Sequence, residues 1–394
     1  MSSSAIAQWT LDPDVLHLNH GSFGAAPRTV LDAQLRWRNL LERNPDAFMH
    51  TQYQPALDHA RDRLAAFVGA DPEGLGFVDN ATAGVNAVLR SLEATLQAHD
   101  EIVITDHTYN ACRNAVIVTA ARTGATVKVA AVPFPIKSAD QVTRAVLNAT
   151  TSRTRLVLVD AITSPTGLIF PIAEIVAALE PEVQVLVDAA HAPGMIEFDI
   201  AGLGASYVAA NCHKWICAPK GAAFLHVRED RREGIYASVI SHGYNGGWPN
   251  NGVHIHRQFD WTGTHDPSAW FAVPDAIDAV GAMDPEGWEG IRRHNRALCL
   301  QGRNLLVAAL DIDPPAPDDM IGSIAAVPIP DPLVPSDDIF DPLMIRLRQN
   351  WNIEVPVFVW PDPPHRMLRI SAQRYNSIDE YERLALALSV ELAS

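Results

Sequence analysis

Apolar positions in the first half of the chain fall into short runs separated by helical patterns. GLGFVDN (74–80) reads as a strand and ATAGVNAVLRSLEATL (81–96) as a helix, because apolar residues recur there at helical spacing. EIVITD, TVKVAAV, RLVLVDA and VQVLVDA follow as four more apolar strands, with helices predicted near 109–122, 138–150 and 171–180. Strands buried on both faces and alternating with helices predict an α/β fold with a mostly parallel, doubly wound sheet. No internal repeat is present.

From about residue 240 the texture changes. SHGYNGGWPNNGVHIHRQFDWTGTHD is rich in Gly, Asn, His and Trp and reads as an ordered functional loop. Beyond it the pattern predicts helices near 267–283, 285–309 and 337–350, and strands at SIAAVPI, IEVPVFV and MLRIS. YNSIDEYERLALALSVEL closes the chain as a helix, with Ser377 as N-cap and Glu380 completing a capping box. The Pro- and Asp-rich stretches 311–319 and 328–342 read as loops within a smaller α/β unit.

A chain of 394 residues buries a large core and exceeds the usual single-domain size. Its formal net charge of −16 disfavours nonspecific contact with nucleic acid, whose phosphates repel it. No apolar stretch is long enough to cross a bilayer, and MSSSAIAQWTLDPD lacks the basic-then-apolar pattern of a secretory signal, so the expectation is a cytoplasmic protein without a membrane partner. Four cysteines (Cys112, Cys212, Cys217, Cys299) are too few for a disulfide scaffold, and they read as buried or half-buried thiols.

Three segments carry chemistry. In NCHKWICAPKGAAFLHV (211–227), Lys214 follows one apolar run and precedes another, which places it where a sheet-derived loop meets a site; a lone lysine elsewhere is a solvated residue. A lysine amine with a lowered pKa forms an imine with an aldehyde, and His213 beside it is a donor for a phosphate. In VQVLVDAAHAPG (183–194), Asp188 ends an apolar strand, where open α/β sheets bind ligands, and His191 stands three residues on. The ordinary alternatives are a helix cap for Asp188 and a turn histidine for His191. FVDNATAGVN (77–86) runs from a strand into a helix whose first N–H groups, at Ala81 and Thr82, suit a phosphate. An ordinary strand-to-helix turn has the same look.

In this order the three segments resemble the class V, cysteine desulfurase-like branch of fold-type I enzymes that depend on pyridoxal 5′-phosphate (PLP). Within it the likeness is nearest to the isopenicillin N epimerase group. LDPDVLHLNHGSFGAAPRTV, EIVITDHTYNACRNAV, ITSPTGLIFPI, WTGTHDPSAW and LRISAQRYNSIDEYERL look like further blocks of that group, so the resemblance runs from about residue 11 to the C-terminus. It implies PLP held covalently on Lys214, with Asp188 keeping the pyridine nitrogen protonated. It also implies an N-terminal segment (1–18) packing with a small C-terminal domain (265–394), around a large PLP-binding domain (19–264).

The same resemblance implies that Tyr109 stacks on the ring, with His107 a weaker claimant. Ser164 stands where many relatives have an Asn near the phenolic oxygen, and His191 is then the alternative contact. Asn211 and His213 would hold the phosphate with Ala81 and Thr82. Thr264 matches a position that reaches the neighbouring subunit's phosphate, which implies a homodimer with the site near the interface. Arg369 matches the arginine that grips the substrate's α-carboxylate, and Asn19, His20 and Gly21 would line that pocket. Taken singly, Arg369 reads as a solvated strand arginine, Tyr109 as a core aromatic and Thr264 as a loop hydroxyl.

A metal site is the competing reading. His242, His254, His256 and His265 lie in one polar segment, and His-x-His on a strand presents two imidazoles to one side, but no acidic or cysteine partner stands at familiar spacing. Persulfide-forming desulfuration is disfavoured as well, since the last cysteine, Cys299, lies 70 residues before Arg369. The expectation is an amino-acid substrate and epimerase-type chemistry at Cα, with a C–S β-lyase and then an aminotransferase as alternatives. All three begin with removal of the Cα proton.

Overall fold

The structure is a computed structural model that describes residues 6–247, 252–331 and 340–393. Seven strands form its main sheet: β1 (Leu75–Val78), β2 (Glu101–Thr105), β3 (Thr126–Ala130), β4 (Thr154–Asp160), β5 (Gln184–Asp188), β6 (Tyr207–Asn211) and β7 (Ala223–Val227). Their spatial order is β1-β7-β6-β5-β4-β2-β3. β2 to β6 pair in parallel, whereas β7 runs antiparallel to both of its neighbours. The predicted mostly parallel sheet is therefore present.

Side-chain alternation explains why both faces are covered. Val157, Val159, Val185 and Val187 enter one core, and Leu156, Leu158 and Leu186 enter the other. The first core includes residues of helices α1 (Arg28–Arg43), α2 (Tyr53–Val68), α5 (Asp140–Ala149) and α6 (Ile172–Leu179). The second is closed by α3 (Ala81–Leu92) and α4 (Asn110–Thr123). β3 departs from the expectation of a buried apolar strand. It is an edge strand paired only with β2, and Val129 is 49% exposed.

After residue 252 the chain forms α7 (Val273–Gly281), which packs on α1 and α2, and the long α8 (Gly287–Leu310). A second, antiparallel sheet has the order β9-β10-β8, from β8 (Ile324–Ile329), β9 (Val357–Val359) and β10 (Arg366–Ser371). α9 (Pro342–Trp351) and α10 (Ile378–Glu391) complete this part. The predicted strand IEVPVFV is two pieces. Ile353–Glu354 pairs in parallel with Leu16–His17, and Pro356, which has no N–H to give a ladder, separates it from β9. Ser377 is the N-cap of α10, but its side chain makes no capping bond. The Glu380 carboxylate accepts from Asn376 Nδ2 at 2.7 Å, so the predicted capping box does not close through the serine.

Residues 240–265 do not form the single loop expected. Their described part holds a short 3-10 turn, His242–Asn245, and a helical segment, His254–Phe259. Residues 248–251, and 332–339 of the predicted 328–342 loop and 337–350 helix, lie outside the described residues.

Candidate active site

Parallel strands end together at one edge of the sheet, and the site is built there. Asp188 ends β5, Asp160 ends β4 and Asn211 ends β6, and register places Asp160 directly beside Asp188. The loop after β6 delivers His213, Lys214 and Trp215, and the loop after β5 delivers His191. A cavity of about 390 Å³ lies over these residues, lined among others by Thr82, Tyr109, Asp188, His191, His213 and Lys214. It shares Ser22, Tyr109 and Ser164 with a second cavity of about 620 Å³ that holds Arg369, Arg113, Phe358 and Trp360.

Lys214 Nζ is 3.1 Å from His191 Nε2. Burial, followed by the charge of Arg369, pulls its pKa down to about 8 against the opposing pull of Asp188. Asp188 accepts the Ala190 N–H at 3.0 Å and the Cys112 thiol at 3.1 Å. Burial raises its pKa, and these donors together with Lys214 favour its charged form. Asp160 is worse served. One oxygen accepts the Tyr109 N–H at 3.4 Å and the other has no partner, so burial and then the neighbouring Asp188 charge push its pKa well up.

Arg369 is 5% exposed, and no carboxylate among the described residues is paired with it. Its Nη1 donates to the Ser164 carbonyl (2.6 Å) and hydroxyl (3.1 Å), its Nη2 to Ser22 Oγ (2.9 Å), and its Nε has no partner. Burial lowers its pKa to about 10, so it stays a cation.

The structure brings most of the predicted residues together and moves some. Tyr109 is 44% exposed and lines both cavities, whereas His107 is fully buried, bonded to Thr166 and the Val132 carbonyl. Ala81 does not offer its N–H to the cavity: it donates to Asn211 Oδ1 at 2.8 Å, and the Ala83 N–H goes to Asn80, which leaves Thr82 as the open donor of α3. His213 Nδ1 donates to the Ala222 carbonyl, and burial lowers its pKa to about 4, so the neutral ring presents Nε2. Thr264 is exposed and lines neither cavity of its own chain.

The N-terminal block contributes differently from the expectation. His20 and Gly21 are buried and line neither cavity. His20 Nε2 donates to the Lys214 carbonyl at 2.9 Å, and its Nδ1 faces the Tyr375 hydroxyl at 3.0 Å. Asn19 accepts from Ser22, and Ser22 with Phe23 enters the site instead. Gly24, at φ +69°, lies so close to this loop that a Cβ would stand 2.0 Å from the His213 carbonyl oxygen, so only glycine fits. Sequence reasoning missed Ser22, Asp160, Cys112 and Trp215. Asp160 carried a legible signal, since it ends an apolar strand as Asp188 does.

The histidines at 254 and 256 bond backbone carbonyls, of Ile235 (2.8 Å) and Pro72 (2.9 Å), and sit on a helical segment rather than a strand. No group of three metal-ligating side chains occurs among the described residues. No helix among them is long and apolar enough to cross a membrane.

A buried lysine with a lowered pKa, a carboxylate at a strand's end, an open helix start and an aromatic lid surround one cavity, which is the donor set that suits a phosphorylated pyridine aldehyde. Fold and site define a PLP-dependent enzyme of the class V kind. The Aminotransferase class-V family matches residues 25–297, and the chain belongs to it, with PLP as its cofactor. It is 35% identical to the isopenicillin N epimerase of Amycolatopsis lactamdurans, over 98% of this chain and 97% of that protein. It is 34% identical to a putative L-cysteine desulfhydrase 2 of Oryza sativa subsp. japonica, over 96% of this chain and 85% of that one. Among solved structures, the cystine C–S lyase C-DES in complex with cysteine persulfide superposes with a TM-score of 0.75 at 22% identity, covering 96% of this chain and 98% of that one. The cysteine desulfurase CsdA of Escherichia coli superposes at 0.76 and 18%, covering 100% and 99%.

Proposed function

We propose that this enzyme carries out epimerase-type chemistry at the α-carbon of an amino acid whose side chain is larger than that of cysteine. The cavity of about 620 Å³ beyond Arg369 carries this reading, because it is far larger than a cysteine side chain fills and its walls include Phe358, Trp360 and Pro356. The likeness to an isopenicillin N epimerase over nearly the whole of both chains supports it.

In this reading Arg369 grips the α-carboxylate through its guanidinium, whose Nη groups now donate to Ser164 and Ser22. Lys214 holds the cofactor and, once released, moves the Cα proton on its Nζ. Asp188 would hold the ring nitrogen, Tyr109 would cover the ring, and Thr82, Asn211 and His213 would hold the phosphate. Bound PLP supplies the electron sink for the carbanion at Cα. Thr264, exposed in one chain, reaches the partner's cofactor in a homodimer; an active monomer in sedimentation would contradict that arrangement.

A C–S β-lyase is the second reading, favoured by the 34% identity to a putative cysteine desulfhydrase. Aminotransfer shares the first step but has no observation of its own here. Amino acids incubated with the enzyme in deuterated water separate the three. Exchange at Cα with inversion and no keto acid is expected. Keto acid and sulfide released without an acceptor would replace the epimerase by the lyase, and keto acid that requires an acceptor would replace it by an aminotransferase.

A further inference from the structure

His191 makes two contacts whose donor and acceptor roles constrain one another. Trp215 Nε1 donates to His191 Nδ1 at 3.2 Å, and Lys214 Nζ lies 3.1 Å from His191 Nε2. An indole N–H only donates, so Nδ1 is an acceptor and carries no proton. The histidine is 2% exposed, with Lys214 and His213 from the loop after β6, Arg369 from β10 and His20 from the N-terminal block around it. Burial above all holds the ring neutral. A neutral ring with a bare Nδ1 has its proton on Nε2, and that proton points at Lys214 Nζ. Only an amine with a free lone pair accepts it, whereas an ammonium group has none.

Packing holds the three groups in place. Trp215 is 1% exposed, and its ring centroid lies 4.9 Å from that of His20. Gly194, three residues after His191, has φ +90°, and a Cβ there would stand 2.6 Å from the Trp215 carbonyl oxygen. The loop that carries His191 therefore crosses directly over the Trp215 backbone.

We propose that Trp215 is a positioning residue that locks His191 in its Nε2–H tautomer, and that His191 so locked favours the free-amine form of Lys214, the form that attacks an aldehyde. This rests on the reading of Lys214 as the cofactor lysine. The lowered pKa of Lys214 agrees with it.

The test is ¹⁵N NMR of the full-length chain with labelled histidine, prepared without cofactor, with His191 assigned by its loss in His191→Gln. The expected result is a single Nε2–H tautomer between about pH 6.5 and 8, where an ordinary histidine titrates or mixes forms. Trp215→Phe keeps the aromatic ring and removes the N–H; it should mix the tautomers and slow PLP attachment at pH 7.5 by about threefold or more, the effect of a half-unit rise in the lysine pKa. An Nδ1–H or protonated His191 in the wild type overturns the proposal, and so does an unchanged tautomer in Trp215→Phe. If that variant does not fold, the wild-type spectrum decides alone. The expected tautomer in a protein that takes up no PLP on Lys214 would instead overturn the cofactor-lysine reading and leave the tryptophan–histidine lock standing.

Discussion

Residues 183–217 and 240–265 are both dense in side chains that do chemistry, yet the fold uses them in different ways. The first stretch contains two parallel strands that end at the same edge of a buried sheet, so Asp188, His191, His213 and Lys214 converge on one cavity although 26 residues separate the aspartate from the lysine. The second has more histidines, but none belongs to a strand of that sheet. His254 and His256 spend their N–H groups on the carbonyls of Ile235 and Pro72, and Asp260 is buried against Arg61. Convergence at strand ends makes a site, and abundance of reactive residue types does not.

The comparison breaks most sharply at Asp188. Asp188→Ala is expected to keep some PLP and lose nearly all turnover, because without a carboxylate the ring nitrogen loses its proton; near-normal activity in steady-state assays would refute the role. Arg369→Lys keeps the charge but loses the planar fork. Amino-acid affinity should fall about 10- to 100-fold, the equivalent of one or two charge-assisted bonds, with PLP binding intact; an unchanged affinity in a titration of the cofactor spectrum counts against the clamp. Asp160→Asn is the gentler probe. Burial and then Asp188 favour the neutral form of this carboxyl, which the amide mimics, so the pH midpoint of the bound cofactor's absorbance should move by less than about half a unit. A shift of a unit or more would show that Asp160 is ionised. The smallest effect is expected in the other stretch, where His254→Ala or His256→Ala should cost about 1 kcal/mol of stability in denaturant unfolding and leave the cofactor spectrum alone. Loss of PLP in either would erase the contrast drawn here.

Sequence patterning captured the main sheet because its strands are buried on both faces and read as unbroken apolar runs. It overcalled β3, since TVKVAAV looks apolar whether the strand is central or at an edge. The lysine, the aspartate and the arginine were legible through their order along the chain. What depended on three-dimensional approach was not: nothing local distinguishes Ala81, whose N–H Asn211 takes, from Thr82, whose N–H stays open. His20 and Gly21 were expected in the pocket, but the tight crossing at Gly24 tucks them beneath Lys214 and turns Ser22 and Phe23 into it. The donor that Trp215 gives His191 spans 24 residues and had no signature in the chain.

Covalent trapping tests the central claim most directly. Borohydride reduction of the PLP-loaded protein, followed by peptide mass analysis, should place the cofactor on Lys214 alone, and Lys214→Ala should trap none. Attachment to the cofactor-free chain should quicken as pH rises through about 8, because the amine loses its proton there and only the free amine attacks. Cofactor trapped on another residue, or trapped equally well in Lys214→Ala, would contradict the account.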